Sequence, residues 1–238
     1  MIMSFKTISA KSAALLDQEL MGAGQFSIDQ LMELAGLAVA QAIFKQYPPL
    51  NKGKNNPLVL VGPGNNGGDG LVAARHLKLW GYSPTIYYPK QSKSNVLYNN
   101  LTKQLSDLQV ESINSLEQVK TGQFMLIVDC LFGFSFKPPI RPPFDELIEH
   151  LLDPAVEKPP IVSVDIPSGW DVDNGPVNGD KSINPQMLVS LTAPKPCTKY
   201  FKGIHYLGGR FINRSIAEKY GITDIIDLYK SNDMIVKL

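Results

Sequence analysis

The sequence predicts an α/β fold in which a mainly parallel sheet carries helices on both faces. Short apolar runs that fit strands alternate with segments of helical spacing along most of the 238 residues, as in right-handed βαβ units. The run Pro57–Val61 (PLVLV) is apolar throughout, which is typical of a strand buried on both faces of a parallel sheet. A glycine-rich segment, residues 62–70, joins this run to a helical pattern.

Two helices are expected before the first strand. Ser9 is placed to cap a helix that ends near Gly22. Ser27 and Gln30 have the spacing of a capping box for a second helix, which ends before Pro48.

The remaining elements alternate along the chain. Strands are expected at residues 85–88, 124–128, 161–164 and 187–191. Helices are expected at residues 68–80, 94–105, 115–120 and 144–152. Neither a repeat nor a linker interrupts the pattern, so we expect a single domain over residues 1–238.

Composition limits the class of protein. The 23 basic and 22 acidic residues give a net charge of +1, which leaves no basic excess for nucleic-acid phosphates. Two cysteines form neither a disulfide framework nor a zinc pattern. With no apolar run near the ~18 residues of a membrane span, we expect a soluble cytoplasmic protein without nucleic-acid or membrane partners. An additional mitochondrial pool stays open.

The carboxyl ends of the strands are where open α/β sheets bind ligands. Gly62, Gly64 and Gly67 fit the dinucleotide-binding pattern, in which glycines let backbone amides approach a pyrophosphate at a helix N-terminus. A dehydrogenase is disfavoured, because the second predicted strand ends without the acid that binds a ribose hydroxyl. Asp69 also places a carboxylate in the turn. A glycine-rich connection without a ligand is the alternative.

Two aspartates, Asp129 and Asp165, follow apolar runs, with Asn66 and Ser168 expected at the same edge. Both aspartates could instead cap turns. Oxygen ligands without His or Cys suit a hard cation, and a single carboxylate with neutral oxygens favours a monovalent ion.

Other candidate residues have competing interpretations. Lys195 could reach a phosphate at this edge or lie exposed on the surface, and Trp170 could stack on a ring or fill the core. The three histidines share no short motif, which argues against a zinc site or a Ser-His-Asp triad.

Four segments together resemble the YjeF N-terminal family of NAD(P)H-hydrate epimerases. They are GPGNNGGDGLVAARHL at residues 62–77, VDCLFGF at 128–134, VDIPSGWDV at 164–172 and LTAPKP at 191–196. The resemblance extends from about residue 9 to residue 217 and is to stand-alone eukaryotic members, with a Pro-rich loop of fungal style.

This resemblance implies a Rossmann-like three-layer αβα sandwich, a homodimer and one potassium ion per subunit. It implies that hydrated NADH or NADPH, called NAD(P)HX, is the substrate and not a cofactor. The expected reaction interconverts the R and S forms at C6 of the nicotinamide ring, so that a separate dehydratase can repair both.

The resemblance also assigns residues. Asp165 is expected to be the catalytic acid/base, and potassium to be held by Asn66, Asp129 and Ser168. Ser135 stands where many relatives have glycine. The expected substrate-binding residues are Asn65, Asn66, Gly67, Gly68, Asp69, Gly133, Phe134, Ser135, Phe136, Lys137, Pro138, Pro139 and Asp165.

The principal alternative is a non-catalytic ligand-binding or protein-interaction scaffold of the same fold. Scaffolds of this kind usually carry long disordered arms and lose the polar residues at the strand ends. This chain keeps those residues, which favours catalysis.

Overall fold

The computed structural model describes residues 5–50, 53–137, 139–176 and 182–238. Its ten strands are β1 Pro57–Val61, β2 Thr85–Tyr87, β3 Glu111–Ile113, β4 Leu126–Cys130, β5 Ile161–Val164, β6 Trp170–Asp171, β7 Gly175–Pro176, β8 Met187–Leu191, β9 Ile204–Gly208 and β10 Ile235–Lys237. Its helices are α1 Ala10–Met21, α2 Ile28–Gln46, α3 Asn65–Leu79, α4 Val96–Asp107, α5 Leu116–Thr121, α6 Phe144–Leu152, α7 Arg214–Tyr220, α8 Thr223–Ile226 and the 3-10 helix Pro196–Tyr200.

Eight strands form one sheet in the order β10-β9-β8-β5-β4-β1-β2-β3. All neighbouring pairs are parallel except β9 and β10 at one edge, and β6 and β7 form a separate hairpin. The predicted α/β fold with a mainly parallel sheet is therefore confirmed. No helix in the part of the chain that the structure describes is long and apolar enough to cross a membrane.

The sheet is covered by helices on both faces. Val59 and Val61 of β1 belong to a buried cluster shared with α2, α3 and α4. Leu58 and Leu60 belong to a second cluster shared with α5 and α6. Because successive residues of a strand point to opposite faces, these clusters lie on opposite sides of the sheet, which gives the three-layer sandwich.

The two N-terminal helices begin as predicted. The Ser9 hydroxyl accepts a hydrogen bond from the Ser12 amide at 3.2 Å. At the start of α2, Ser27 and Gln30 form a reciprocal capping box with distances of 2.9 and 3.1 Å. These caps fix where α1 and α2 start beside the carboxyl ends of the strands.

Several predicted boundaries are wrong. Helix α3 begins at Asn65, three residues before its predicted start, so it includes much of the glycine-rich segment. Strand β4 lies two residues later than residues 124–128, because its pairing with β1 sets Leu126 opposite Pro57 and Cys130 opposite Val61. Asp129 thus lies inside a strand. The sequence analysis does not predict five of the strands, β3, β6, β7, β9 and β10. Strand β9 contains His205.

Candidate active site

A cavity of about 420 Å³ opens beyond the carboxyl ends of β1, β4, β5 and β8. This volume is in the range of small-molecule sites. Its polar wall is formed by side chains and backbone from the segments that follow these strands. Its apolar wall is formed by α1, α2 and four phenylalanines, Phe132, Phe134, Phe136 and Phe211. The strand ends thus form one edge of a cavity, as the sequence predicts.

The N-terminus of α3 faces this cavity through Gly64, Asn65 and Asn66. The preceding turn passes so close to other backbone that a Cβ on Gly62 would lie 1.8 Å from the Leu131 carbonyl oxygen. Only glycine fits at that position, which brings the helix N-terminus to the strand ends. The Asn65 side chain accepts a hydrogen bond from the Tyr98 hydroxyl at 3.2 Å.

Asp165 is the most constrained carboxylate of the site. Its backbone has φ +65°, a value that non-glycine residues rarely adopt, and its accessible fraction is 5%. One carboxylate oxygen, Oδ1, accepts a hydrogen bond from Lys195 Nζ at 2.5 Å, and Oδ2 accepts one from the Phe134 amide at 2.8 Å. These contacts fix the position of the carboxylate at the cavity wall.

Lys195 is only 2% exposed, so the interpretation of it as a surface residue is wrong. Its ammonium also donates to the Leu191 carbonyl oxygen at 2.8 Å and lies 5.5 Å from the centre of the Phe134 ring. A buried ammonium with these partners neutralises Asp165 at the cavity wall.

Asp129 is fully buried in β4 and accepts four hydrogen bonds from three residues. The hydroxyl and amide of Ser168 donate at 2.6 and 2.9 Å, the Ser163 hydroxyl at 2.7 Å and the Leu131 amide at 3.3 Å. Burial raises the pKa of Asp129, and these hydrogen bonds partly offset the effect. Asp129 therefore orders the turn after β5.

Asn66 has one amide atom without a partner. Its Nδ2 donates to the Val164 carbonyl oxygen at 3.3 Å, whereas its Oδ1 is buried without a hydrogen-bond partner in the described structure. A buried acceptor without a hydrogen bond lowers the stability of the folded protein. A cation held by Asn66, Asp129 and Ser168 would satisfy it, so these residues fit the potassium ion that the resemblance implies.

This set differs from a transition-metal site. Within the described ranges, no three or more His, Cys, Asp or Glu residues are grouped so that they could hold a metal ion. One carboxylate with amide and hydroxyl oxygens is instead a donor set of low charge and hard oxygens. That chemistry matches a monovalent cation.

Two further carboxylates line the cavity, Asp69 from α3 and Asp17 from α1. Burial, and next the charge of Asp165, raise the pKa of Asp69 well above its usual value. Burial raises the pKa of Asp17 to about 6, although Lys195 opposes the change. Sequence reasoning did not identify Asp17 as a site residue. The signal for it is an acid beside Leu16 on the apolar face of α1.

The loop after β4 enters the site only in part. Gly133 to Phe136 line the cavity, and the Phe132 and Phe136 rings stack with centroids 4.5 Å apart. Lys137 and Pro139 are exposed and lie outside the cavity lining, while Pro138 lies outside the described residues.

Three other residues that the sequence analysis considers for the site are buried outside the cavity lining. Gly67 and Gly68 are buried in α3 outside the cavity lining, and a Cβ on Gly68 would lie 2.4 Å from the sulfur of Met32. Trp170 is buried and donates its ring N–H to the Ile183 carbonyl oxygen at 2.8 Å, as in the interpretation that it fills the core.

A cleft at the carboxyl ends of a doubly wound parallel sheet, with a glycine turn and a buried carboxylate–lysine pair, defines an α/β protein that binds a small molecule. Residues 28–197 match the family model described as YjeF-related protein N-terminus. The chain belongs to this family.

Curated relatives support the same assignment. The chain is 59% identical to the NAD(P)H-hydrate epimerase of Candida albicans (strain SC5314 / ATCC MYA-2876), with 98% of each sequence covered. It is 49% identical to that of Saccharomyces cerevisiae, with 99% of each covered. A solved structure, described as the crystal structure of yeast ynu0, YNL200c, superposes with a TM-score of 0.90 at 47% identity, covering 98% of this chain and 100% of that one.

Proposed function

We propose that this chain is an isomerase that interconverts the R and S forms of NAD(P)HX at C6 of the nicotinamide ring. The proposal follows from the curated relatives, which carry the name NAD(P)H-hydrate epimerase at 49–59% identity over nearly the whole chain. The observation that carries it in the structure is Asp165, fixed by Lys195 and the Phe134 amide at the wall of the cavity. The reaction serves nicotinamide nucleotide repair.

The lining of the cavity suits a dinucleotide substrate. The N-terminus of α3, from Gly64 to Asn66, offers backbone N–H groups and a favourable helix dipole to the pyrophosphate. The phenylalanines of the cavity supply apolar surface for the reduced ring. In this pose Asp165 lies near C6.

The chemistry requires acid/base catalysis at one carbon. C6 carries both a hydroxyl and the ring nitrogen, so reversible loss of the hydroxyl, or ring opening to an aldehyde, removes the stereocentre. Asp165 as an acid assists departure of the hydroxyl, and as a carboxylate it activates the returning water. One positioned acid/base contributes about 10²–10⁴-fold to the rate.

The test is an assay with a single epimer of hydrated NADH, in which both forms are separated chromatographically. We expect the protein to accelerate inversion well above the rate without enzyme. The Asp165→Asn variant should lose about 10²-fold or more while still binding substrate. Absence of acceleration by folded wild-type protein would overturn the proposed function, and near-normal turnover by a folded Asp165→Asn variant would overturn the role of Asp165.

We propose in addition that Asn66, Asp129 and Ser168 hold one potassium ion per subunit. The support is the unpartnered Asn66 Oδ1, together with the buried Asp129 carboxylate, which has hydrogen bonds but no ion pair within the described structure. When bound, the cation would offset the charge of Asp129 and order the turn that carries Asp165 and Ser168.

Potassium dependence checks this assignment. Replacing potassium with a larger organic cation should weaken substrate binding or lower thermal stability of the wild-type protein. The Asp129→Asn variant should show the same loss in potassium buffer and little further response to its removal. An enzyme unchanged in potassium-free buffer would contradict the site.

The other proposals rest on the family resemblance. We propose one domain over residues 1–238, a homodimer, a cytoplasmic location and a functional partnership with a separate NAD(P)HX dehydratase that consumes one epimer. A mitochondrial pool stays open. Sedimentation of the purified protein measures the subunit number, and a coupled assay with a dehydratase measures whether both epimers are repaired.

A further inference from the structure

Asp17 has no role in the function proposed so far, yet it lies in the same cavity. Of the three charged residues of α1, only Asp17 is part of the cavity lining, together with Ala13 and Leu16 of the same helix. It therefore lies on the side of the cavity formed by the helices, whereas Asp165 follows the end of β5.

The cavity holds more carboxylates than cations. Asp17, Asp69 and Asp165 line it, and Lys195 is the one basic side chain among its described lining residues. Lys195 is engaged by Asp165 and the Leu191 carbonyl oxygen. In the described structure neither Asp17 nor Asp69 has a protein hydrogen-bond partner, although Asp69 is only 9% exposed. These free carboxyl groups face the space for substrate.

The burial of Asp17 favours a bound proton. Burial, and to a smaller extent Asp165, raise its pKa to about 6, while Lys195 lowers it. Asp69 carries a raised pKa in the same cavity for the same reasons. Near neutral pH Asp17 thus exchanges a proton readily, as a general acid must.

Inversion at C6 involves both faces of the ring. The C–O bond breaks on one face of the ring and re-forms on the other, while the pyrophosphate holds the ring in place. We propose that Asp17 is a second catalytic residue, which transfers protons at the face of the ring opposite to Asp165. This inference rests on the proposed epimerase function.

The step is balanced without a co-reactant. Asp17, as the acid, gives its proton to the C6 hydroxyl; the C6–O bond breaks with its electron pair and water leaves. The lone pair of the ring nitrogen forms the C6=N bond. A water on the opposite face adds to C6, the π electrons return to nitrogen, and Asp165 takes the proton. The other direction reverses these roles, and solvent restores the starting protonation.

An oxygen-exchange experiment separates the two faces. One pure epimer at a time is incubated with enzyme in ¹⁸O-labelled water, and both isotope content and configuration of C6 are measured. In the wild-type protein, inversion introduces one solvent oxygen. In Asp17→Asn, inversion should fall about 10²-fold or more, while one epimer still exchanges its oxygen with retention through Asp165. Asp17→Glu should recover part of the inversion.

The pH profile gives a second readout. Wild-type kcat/KM should fall as pH rises through about 6, because Asp17 loses the proton that the departing hydroxyl needs. The Asp17→Asn profile should lack this decrease after subtraction of the rate without enzyme. Glu19→Gln is the matched control, since it removes one negative charge from the same helix outside the cavity, and it should invert substrate normally.

The outcomes distinguish this inference from the proposed function. If wild-type protein accelerates inversion and Asp17→Asn inverts equally fast, the second-residue assignment is overturned and the epimerase function stands. Equal loss of inversion and exchange in a folded, substrate-binding Asp17→Asn protein also overturns it, because it indicates a structural role. Wild-type protein without any acceleration overturns both.

Discussion

Single residues at the cavity wall are held in conformations that cost free energy. Asp165 and Thr192, which both line the cavity, have φ values of +65° and +62°. Such backbone strain costs about 1–3 kcal/mol per residue and persists only where surrounding contacts fix it. For Asp165 those contacts are the hydrogen bonds from Lys195 and the Phe134 amide. The site is therefore preorganised before substrate binds.

The Asp165–Lys195 ion pair should dominate the stability of this region. The Lys195→Met substitution leaves Asp165 buried without its cation, and breaking a buried pair in this way costs about 3–5 kcal/mol. Urea unfolding at pH 7 measures the loss. The double variant Asp165→Asn with Lys195→Met should recover part of it, because no uncompensated charge then remains.

The surface pair of Lys219 with Glu19 provides the control for that measurement. Lys219→Met removes an exposed ion pair, and exposed pairs contribute little to stability. A loss for Lys195→Met no larger than that for Lys219→Met would contradict the importance of the buried pair.

At the scale of whole elements, the crossing of α2 over α3 sets the width of the cavity. A Cβ on Gly36 of α2 would lie 2.4 Å from the Cβ of Val72 and 2.7 Å from the Asp69 carbonyl oxygen on α3. The absence of a side chain thus allows the two helices to approach closely. The same approach places Met32 and Asp69 at the cavity wall.

The Gly36→Ala substitution tests this crossing. Alanine improves helix propensity by about 1 kcal/mol, whereas overpacking a close contact costs typically 1–3 kcal/mol. We expect a net loss in the free energy of unfolding, measured by urea titration. Adding Val72→Ala should return part of the loss, since it removes the nearest side-chain atoms. A Gly36→Ala protein more stable than wild type would show that the helices separate freely.

How far the sequence predicts these elements depends on the kind of signal. The capping box at Ser27 and the strong apolar pattern of α6 mark boundaries locally, and both helices begin where expected. The start of β4 is not local, because Phe124 and Met125 are as apolar as the strand itself. Pairing with β1 decides that boundary. Strand β10 has three residues at the sheet edge, too few for a periodic pattern.

The candidate site likewise contains residues whose place the sequence predicts and one residue, Asp17, whose place it does not predict. The clustering of Asn66, Asp129, Asp165 and Ser168 follows from parallel strands ending at one edge, so the sequence predicts it. The local pattern marks Asp17 only as an acid on the apolar face of α1, and its place in the site depends on how α1 lies across the strand ends. Their roles in catalysis and potassium binding stay predictions until the assays are made.

For the molecule as a whole, buried ionisable groups should make stability depend on pH in opposing directions. Asp17 has a folded-state pKa of about 6, above its usual 3.8. The contribution of Asp17 to the free energy of unfolding is therefore fully present below pH 3.8 and is lost as pH rises through 6. His205, buried in β9, has a pKa lowered by burial from 6.5 to about 4. The contribution of His205 to the free energy of unfolding is present above pH 6.5 and is lost as pH falls toward 4.

His205 should therefore control part of the acid sensitivity of the fold. Its Nε2 is 2.8 Å from the Ser190 hydroxyl on the neighbouring strand, and its ring packs edge-on against Phe5 and Phe201. It thus joins the sheet to the N-terminal segment and to the residue that follows the 3-10 helix. Because the unfolded chain binds a proton at this residue below pH 6.5 and the folded protein does so only near pH 4, the free energy of unfolding should fall by about 3 kcal/mol between pH 7 and pH 4.

The His205→Gln substitution removes this titration while keeping a polar partner for Ser190. Plotted against pH, its free energy of unfolding should decline less between pH 7 and pH 4 than that of the wild-type protein, by up to about 3 kcal/mol. His150→Gln is the matched control, because burial also lowers the pKa of His150 but that residue is only partly buried in α6. Curves for His205→Gln and wild type that stay parallel would contradict the assignment of this acid sensitivity to His205.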